Sequence, residues 1–128
     1  MIGPPVLDRL GDLGVIPVVV IDDPSRAAAL GSALLLGGLP CAEVTLRTDT
    51  ALESLRALAE NPDLLVGAGT VLRPAQVEAA LRAGARYIVS PGFSASVVSE
   101  CQRSGVPVLP GVATATEIQM ALGLDSRP

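Results

Sequence analysis

Lysine and histidine are both missing from this chain of 128 residues, so its nine basic side chains are all arginine. Their absence removes histidine triads, histidine metal sites and lysine imines from the chemistry these residues can perform by themselves. Tryptophan is also missing, and Tyr87 and Phe93 are the only aromatics, which leaves no platform on which bases could stack. Charge is sparse, 17% of residues with a net of -4 and no basic run, so nucleic acid and anionic membrane surfaces are excluded as expected partners. The two cysteines, Cys41 and Cys101, are far apart and lack metal-ligand spacing, and no signal-like segment precedes them. Reduced thiols and a cytoplasmic location are the expectation. The longest uncharged stretch, Ala27 to Ala42, is shorter than the roughly twenty apolar residues a bilayer requires and is broken by Gly31, Gly37, Gly38 and Pro40.

What is abundant is aliphatic. Hydrophobic residues make up 49% of the chain, enough for one packed core, and its length suits one domain, residues 1–128. Short β-branched or aliphatic runs alternate with longer segments of helical periodicity, the pattern of a parallel sheet built from βα units. Strands are expected at Val15 to Ile21, Cys41 to Leu46, Leu64 to Gly67, Arg86 to Ser90 and Val106 to Leu109. Pro17 must lie near a strand end or on a sheet edge, because proline cannot donate to the ladder. Helix starts are marked by Asp23-Pro24, by Pro74, by Ser94, and by two capping boxes, Thr50 with Glu53 and Thr114 with Glu117. In the last helix Ile118, Ala121 and Leu122 are expected to face inward.

Five parallel strands could complete a doubly wound sheet or form the first five units of an eight-stranded barrel. The second strand bears on the choice. Ala42, Val44 and Leu46 fall on one face, Glu43, Thr45 and Arg47 on the other. A doubly wound sheet would bury that carboxylate beneath helices at a cost of several kcal/mol. In a barrel the same side chains face the interior, with Arg47 near the strand's C-terminal end. An edge strand with both charges in solvent is the alternative reading. The strands end in Gly67-Ala68-Gly69-Thr70, Ser90-Pro91-Gly92 and Pro110-Gly111, small residues that let backbone amides approach an anion at one rim.

The run Glu43-Val44-Thr45-Leu46-Arg47-Thr48, followed by Gly67-Ala68-Gly69-Thr70-Val71, Ser90-Pro91-Gly92 and Pro110-Gly111, resembles the ordered motifs of the bacterial 2-keto-3-deoxy-6-phosphogluconate (KDPG) and 4-hydroxy-2-oxoglutarate aldolases. The resemblance spans Gly14 to Leu122. It implies a TIM-type parallel (β/α) barrel of which this chain carries about five of eight βα units, and a homotrimer. It implies a lyase that cleaves a 2-keto-4-hydroxy acid to pyruvate and an aldehyde through a lysine imine, without metal or cofactor. Glu43 is then the general acid/base, and Arg47 and Thr70 hold the pyruvate carboxylate, roles that suit a carboxylate, a guanidinium and a hydroxyl. The lysine of that family belongs to a sixth strand, and the chain is accordingly expected to be a truncated piece, or one completed by another chain, that is inactive alone. The competing expectation is a non-enzymatic five-stranded α/β module that binds a small carboxylate or a protein partner at its loop rim.

Overall fold

The computed structural model describes residues 5–124. Its elements run α1 (Val6–Leu13), β1 (Val18–Val19), α2 (Ala27–Leu36, entered through a short 3-10 turn at Pro24–Arg26), β2 (Cys41–Thr45), α3 (Ala51–Ala59), β3 (Leu65–Gly69), α4 (Pro74–Arg82), β4 (Ile88–Ser90), α5 (Ala95–Ser104), β5 (Val108–Pro110) and α6 (Ala115–Leu124). All five strands are parallel and lie in the order β1-β2-β3-β4-β5.

That order decides the architecture. A doubly wound sheet reverses direction at a switch point and so carries helices on both faces. Here each strand is added on the same side of the last, and right-handed crossovers then place every connecting helix on one face. The sheet is the wall of a partial (β/α) barrel, and the doubly wound alternative is ruled out.

Packing follows the alternation of the strands. Val44, Val66, Ala68 and Ile88 point to the helices and form the larger core with Leu55, Leu58, Val77, Val97 and Cys101. Cys41, Leu65 and Tyr87 point the other way and pack with Leu10 of α1, along with Val89 and Leu109. Helix α1 thus closes the N-terminal end of the barrel interior. Its apolar residues Val6, Leu10 and Leu13 share one stripe, and Gly14 ends it with φ 71. The sequence reading missed this helix, although that stripe and the glycine stop are its signal.

The caps at Asp23, Ser94 and Thr114 form as expected. Asp23 accepts from the Ser25 amide (3.0 Å), Ser94 from the Val97 amide (3.4 Å), and Thr114 from the Glu117 amide (3.2 Å) while Glu117 accepts from the Thr114 amide (2.9 Å). Thr50 does not cap α3. Its hydroxyl donates instead to the Asp22 carbonyl (2.9 Å), tying the start of α3 to the loop that follows β1. Pro17 precedes β1, which is an edge strand, and its carbonyl accepts the Glu43 amide (2.9 Å), so a missing N–H costs the ladder nothing there.

Helix α6 corrects another expectation. None of its residues is buried; Ile118 and Leu122, expected to face inward, are 46% and 68% exposed. Val18 on the edge strand β1 and Val20 just after it are likewise exposed. The accessible surface is 7456 Å², against about 6,300 Å² for a compact monomer of this mass. Uncovered among the described residues are two strand edges, an inner face open on one side, and a helix with no sheet behind it.

Candidate functional site

Parallel partners in a sheet point to the same side, so the register fixes what surrounds Glu43. It pairs with Val18 of β1 and with Gly67 of β3, while Thr45 pairs with Gly69. Glu43 therefore projects into the barrel interior. Its carboxyl lies over Gly69: a Cβ built on that glycine would fall 2.7 Å from Glu43 Cδ, 2.8 Å from Cγ and closer still to Oε1. Gly67 is covered in the same way by the ring of Tyr87, the residue just before β4. The two glycines, expected to expose backbone to a ligand, instead make room for neighbouring side chains inside the barrel.

Glu43 is 8% exposed, and among the described residues its carboxyl has no hydrogen bond or ion pair. Burial pushes its pKa above the usual glutamate value, and the nearby Arg47 charge pulls it partway back. A buried, unpartnered carboxyl beside a cation is a group poised to exchange protons rather than one that holds the fold together.

Arg47 lies just beyond β2. The Leu46 amide donates to the Gly69 carbonyl (2.9 Å), carrying the pairing one step past Thr45 and bringing the β2 and β3 ends side by side. Arg47 Nε then donates to Thr70 Oγ1 at 3.4 Å. Thr70 has φ 58, the one non-glycine residue with positive φ among the described residues. Left-handed backbone costs a threonine roughly 1–2 kcal/mol. Thr70 is held in it between the Leu46–Gly69 bond and the Val71 amide, which donates to the Val89 carbonyl (3.2 Å). Strain of this kind concentrates where a side chain must be aimed. Here it turns the hydroxyl toward the guanidinium.

Arg47 and Thr70 thus meet just past the C-terminal ends of two adjacent strands, and Glu43, in the middle of β2, faces the interior beneath them. The loop bearing Arg47 is braced by residues the sequence reading gave no such role. Thr48 Oγ1 donates to the Ile21 carbonyl (3.1 Å), and Thr50 Oγ1 to the Asp22 carbonyl. The other rim loops pack on each other: the Gly111 amide donates to the Ser90 carbonyl (2.9 Å), and Ser90 Oγ donates to the Gly92 carbonyl (2.9 Å). Among the described residues there is no cluster of acidic, cysteine or histidine side chains that could hold a metal ion, and no helix long and apolar enough to cross a membrane.

Parallel strands added in chain order with the helices outside define the first part of a (β/α) barrel. Over residues 6–127 the chain matches the family model for KDPG and KHG aldolases, and it belongs to that family. It is 46% identical over 118 residues to the 2-dehydro-3-deoxy-phosphogluconate aldolase of Treponema pallidum (strain Nichols), covering 91% of this chain and 56% of the relative. To the KHG/KDPG aldolase of Escherichia coli (strain K12) it is 39% identical over 112 residues, 87% of this chain and 52% of the relative. The crystal structure of the 2-keto-3-deoxy-6-phosphogluconate aldolase of Zymomonas mobilis ZM4 with 3-phosphoglycerate superposes with a TM-score of 0.87 at 40% identity, over 93% of this chain and 57% of that one. The KDPG aldolase of Legionella pneumophila, with pyruvate captured as a covalent carbinolamine intermediate, gives a TM-score of 0.82 at 42% identity, over 86% and 54%. The chain spans about half the length of the relatives it matches.

Proposed function

We propose that this chain supplies the acid/base and carboxylate-binding half of an aldolase site that cleaves a 2-keto-4-hydroxy acid, of the KDPG or 4-hydroxy-2-oxoglutarate kind, to pyruvate and an aldehyde. The observation that carries this reading is the placement of Glu43, an inward, unpartnered carboxyl, beside the Arg47–Thr70 pair at the barrel rim. Arg47 and the Thr70 hydroxyl bind the keto-acid carboxylate, which fixes the substrate's carbon chain over Glu43. Glu43 then takes the proton from the C4 hydroxyl as the C3–C4 bond breaks and the aldehyde leaves, and returns a proton to C3; water then hydrolyses the imine, freeing pyruvate and the amine. Burial raises its pKa above the ordinary glutamate value, which makes its carboxylate a stronger base toward the C4 hydroxyl.

The electrons of the broken bond need a sink, which the family resemblance puts on a protonated imine formed with a lysine. None of these 128 residues is a lysine, so the amine comes from further βα units added at the open barrel edge. The Legionella relative's carbinolamine is the adduct that precedes such an imine.

A chimera tests this: residues 1–124 of this chain joined to the remaining barrel units of the Zymomonas mobilis relative. The chimera is expected to form pyruvate from a 2-keto-4-hydroxy acid. Glu43→Gln should lower kcat with KM little changed, and Arg47→Gln should chiefly raise KM. The family resemblance adds a homotrimer, which sedimentation of the same chimera reads out. A folded, active chimera indifferent to Glu43→Gln would overturn the assignment.

A further inference from the structure

Tyr87 has no part in the chemistry above, yet it is fully buried and spans three strands. It springs from the residue just before β4, its ring covers Gly67 of β3, and its hydroxyl donates to the Ala42 carbonyl of β2 at 2.9 Å. Only a residue without a side chain at position 67 permits that reach: a Cβ there would lie 2.5 Å from Cδ2 and inside contact with Cε2 and Cζ. The carbonyl it grips belongs to the peptide unit that carries the Glu43 amide, and that amide is held from the opposite side by the Pro17 carbonyl (2.9 Å). Gly67 is also the β3 partner of Glu43, so the ring lies directly beside the base of the acid side chain.

We propose that Tyr87 is the positioning residue for Glu43: its ring is the floor that keeps water from the underside of the carboxyl, and its hydroxyl fixes the peptide from which that side chain springs. Below the ring the interior is already closed by Leu10, Cys41 and Leu65. Water is then kept from below the carboxyl, and reaches Glu43 from the rim, where a substrate arrives, and across the open inner face beside Val18. Burial is the leading cause of the raised Glu43 pKa. Among the described residues, the charged or titratable groups facing the cavity are Arg47 at the rim, Cys41 on the same strand and Tyr87 itself. The neighbouring elements bring Val18 from β1, Gly67, Gly69 and Thr70 from β3, Val89 from β4, Leu109 from β5 and Leu10 from α1. None of these added groups is charged, so the seal rather than a second ion sets how dry the acid is.

The inference concerns the acid named in the proposed function but not its turnover, and its test uses no substrate. The side-chain carboxyl of Glu43 is titrated by carbon-detected NMR in the 128-residue chain, in Tyr87→Phe and in Tyr87→Leu. The wild-type midpoint should lie above the ordinary glutamate value. Tyr87→Phe keeps the ring, so the midpoint should stay while the Glu43 amide resonance moves with the loss of the Ala42 bond. Tyr87→Leu opens the floor, and the midpoint should fall toward the ordinary value. A Tyr87 that merely supports the fold would lower the stability of the leucine variant and leave the titration where it was. An ordinary midpoint in the wild type, or a drop in Tyr87→Phe, also overturns the proposal. Should Tyr87→Leu not fold, the wild-type and phenylalanine titrations decide it alone. A pyruvate-binding failure with the Tyr87 dependence intact would sink the proposed function and leave this inference standing.

Discussion

Gly67→Ala places a methyl group inside the Tyr87 ring, 2.5 Å from Cδ2 and nearer to two further ring atoms. The ring cannot swing away, because it is fully buried, packed on Leu10, Cys41 and Leu65, and tethered to the Ala42 carbonyl. Overpacking of a closed core costs about 1–3 kcal/mol. Losing a buried hydrogen bond whose acceptor stays dry adds roughly 1 kcal/mol or more. The expected loss is therefore about 2–4 kcal/mol, out of a total of about 5–15 kcal/mol for a whole domain. With a urea dependence of about 1–3 kcal/mol per molar, the unfolding midpoint followed by circular dichroism should fall by roughly 1–2 M. Gly11→Ala is the control of opposite sign. Gly11 lies in the middle of α1 with nothing within 4 Å of a new Cβ, so alanine there should stabilise by about 0.5–1 kcal/mol. A Gly67→Ala midpoint within experimental error of wild type would refute the claim that this glycine exists to admit the ring.

Two further perturbations address the acid and the strained hydroxyl. Because burial raises the folded-state pKa of Glu43, the folded chain binds that proton more tightly than the unfolded one. The contribution is fully favourable below the ordinary glutamate pKa of 4.5 and is lost as pH rises through the raised folded value. Glu43→Gln should consequently gain stability relative to wild type on going from pH 4 to pH 7 in parallel urea titrations, and a gap independent of pH would contradict the assigned burial. Thr70→Gly relieves the φ of 58 but removes the acceptor for Arg47. The glycine variant should be as stable as wild type or up to about 1 kcal/mol more so, while the active chimera carrying it shows a raised KM for the keto acid.

Much of this was legible because it depends on local rules. Alternation along Cys41–Thr45 put Glu43 opposite Ala42 and Val44 before any fold was known, and the caps at Asp23, Ser94 and Thr114 follow from side-chain chemistry within a few residues. What was not legible depends on distant neighbours. Thr50 with Glu53 has the form of a capping box, yet the Asp22 carbonyl competes for the hydroxyl and wins. Gly67 and Gly69 looked like open rim backbone; their meaning comes from Tyr87, just before β4, and Glu43 of β2, which reach across. The apolar stripe of α6 pointed inward on periodicity, but a stripe buries only if a sheet lies behind it, and at the β5 edge there is none. Strand order, which separated a barrel from a doubly wound sheet, is a global property that no local pattern encodes.

The most direct test of the central claim is an amide-detected NMR titration of the isotopically labelled chain with pyruvate, alongside Arg47→Gln. Saturable shifts at Arg47, Gly69, Thr70 and Val71, abolished in the variant, are the predicted result. Shifts confined to other surfaces, or shifts at these residues that persist without the guanidinium, would contradict it.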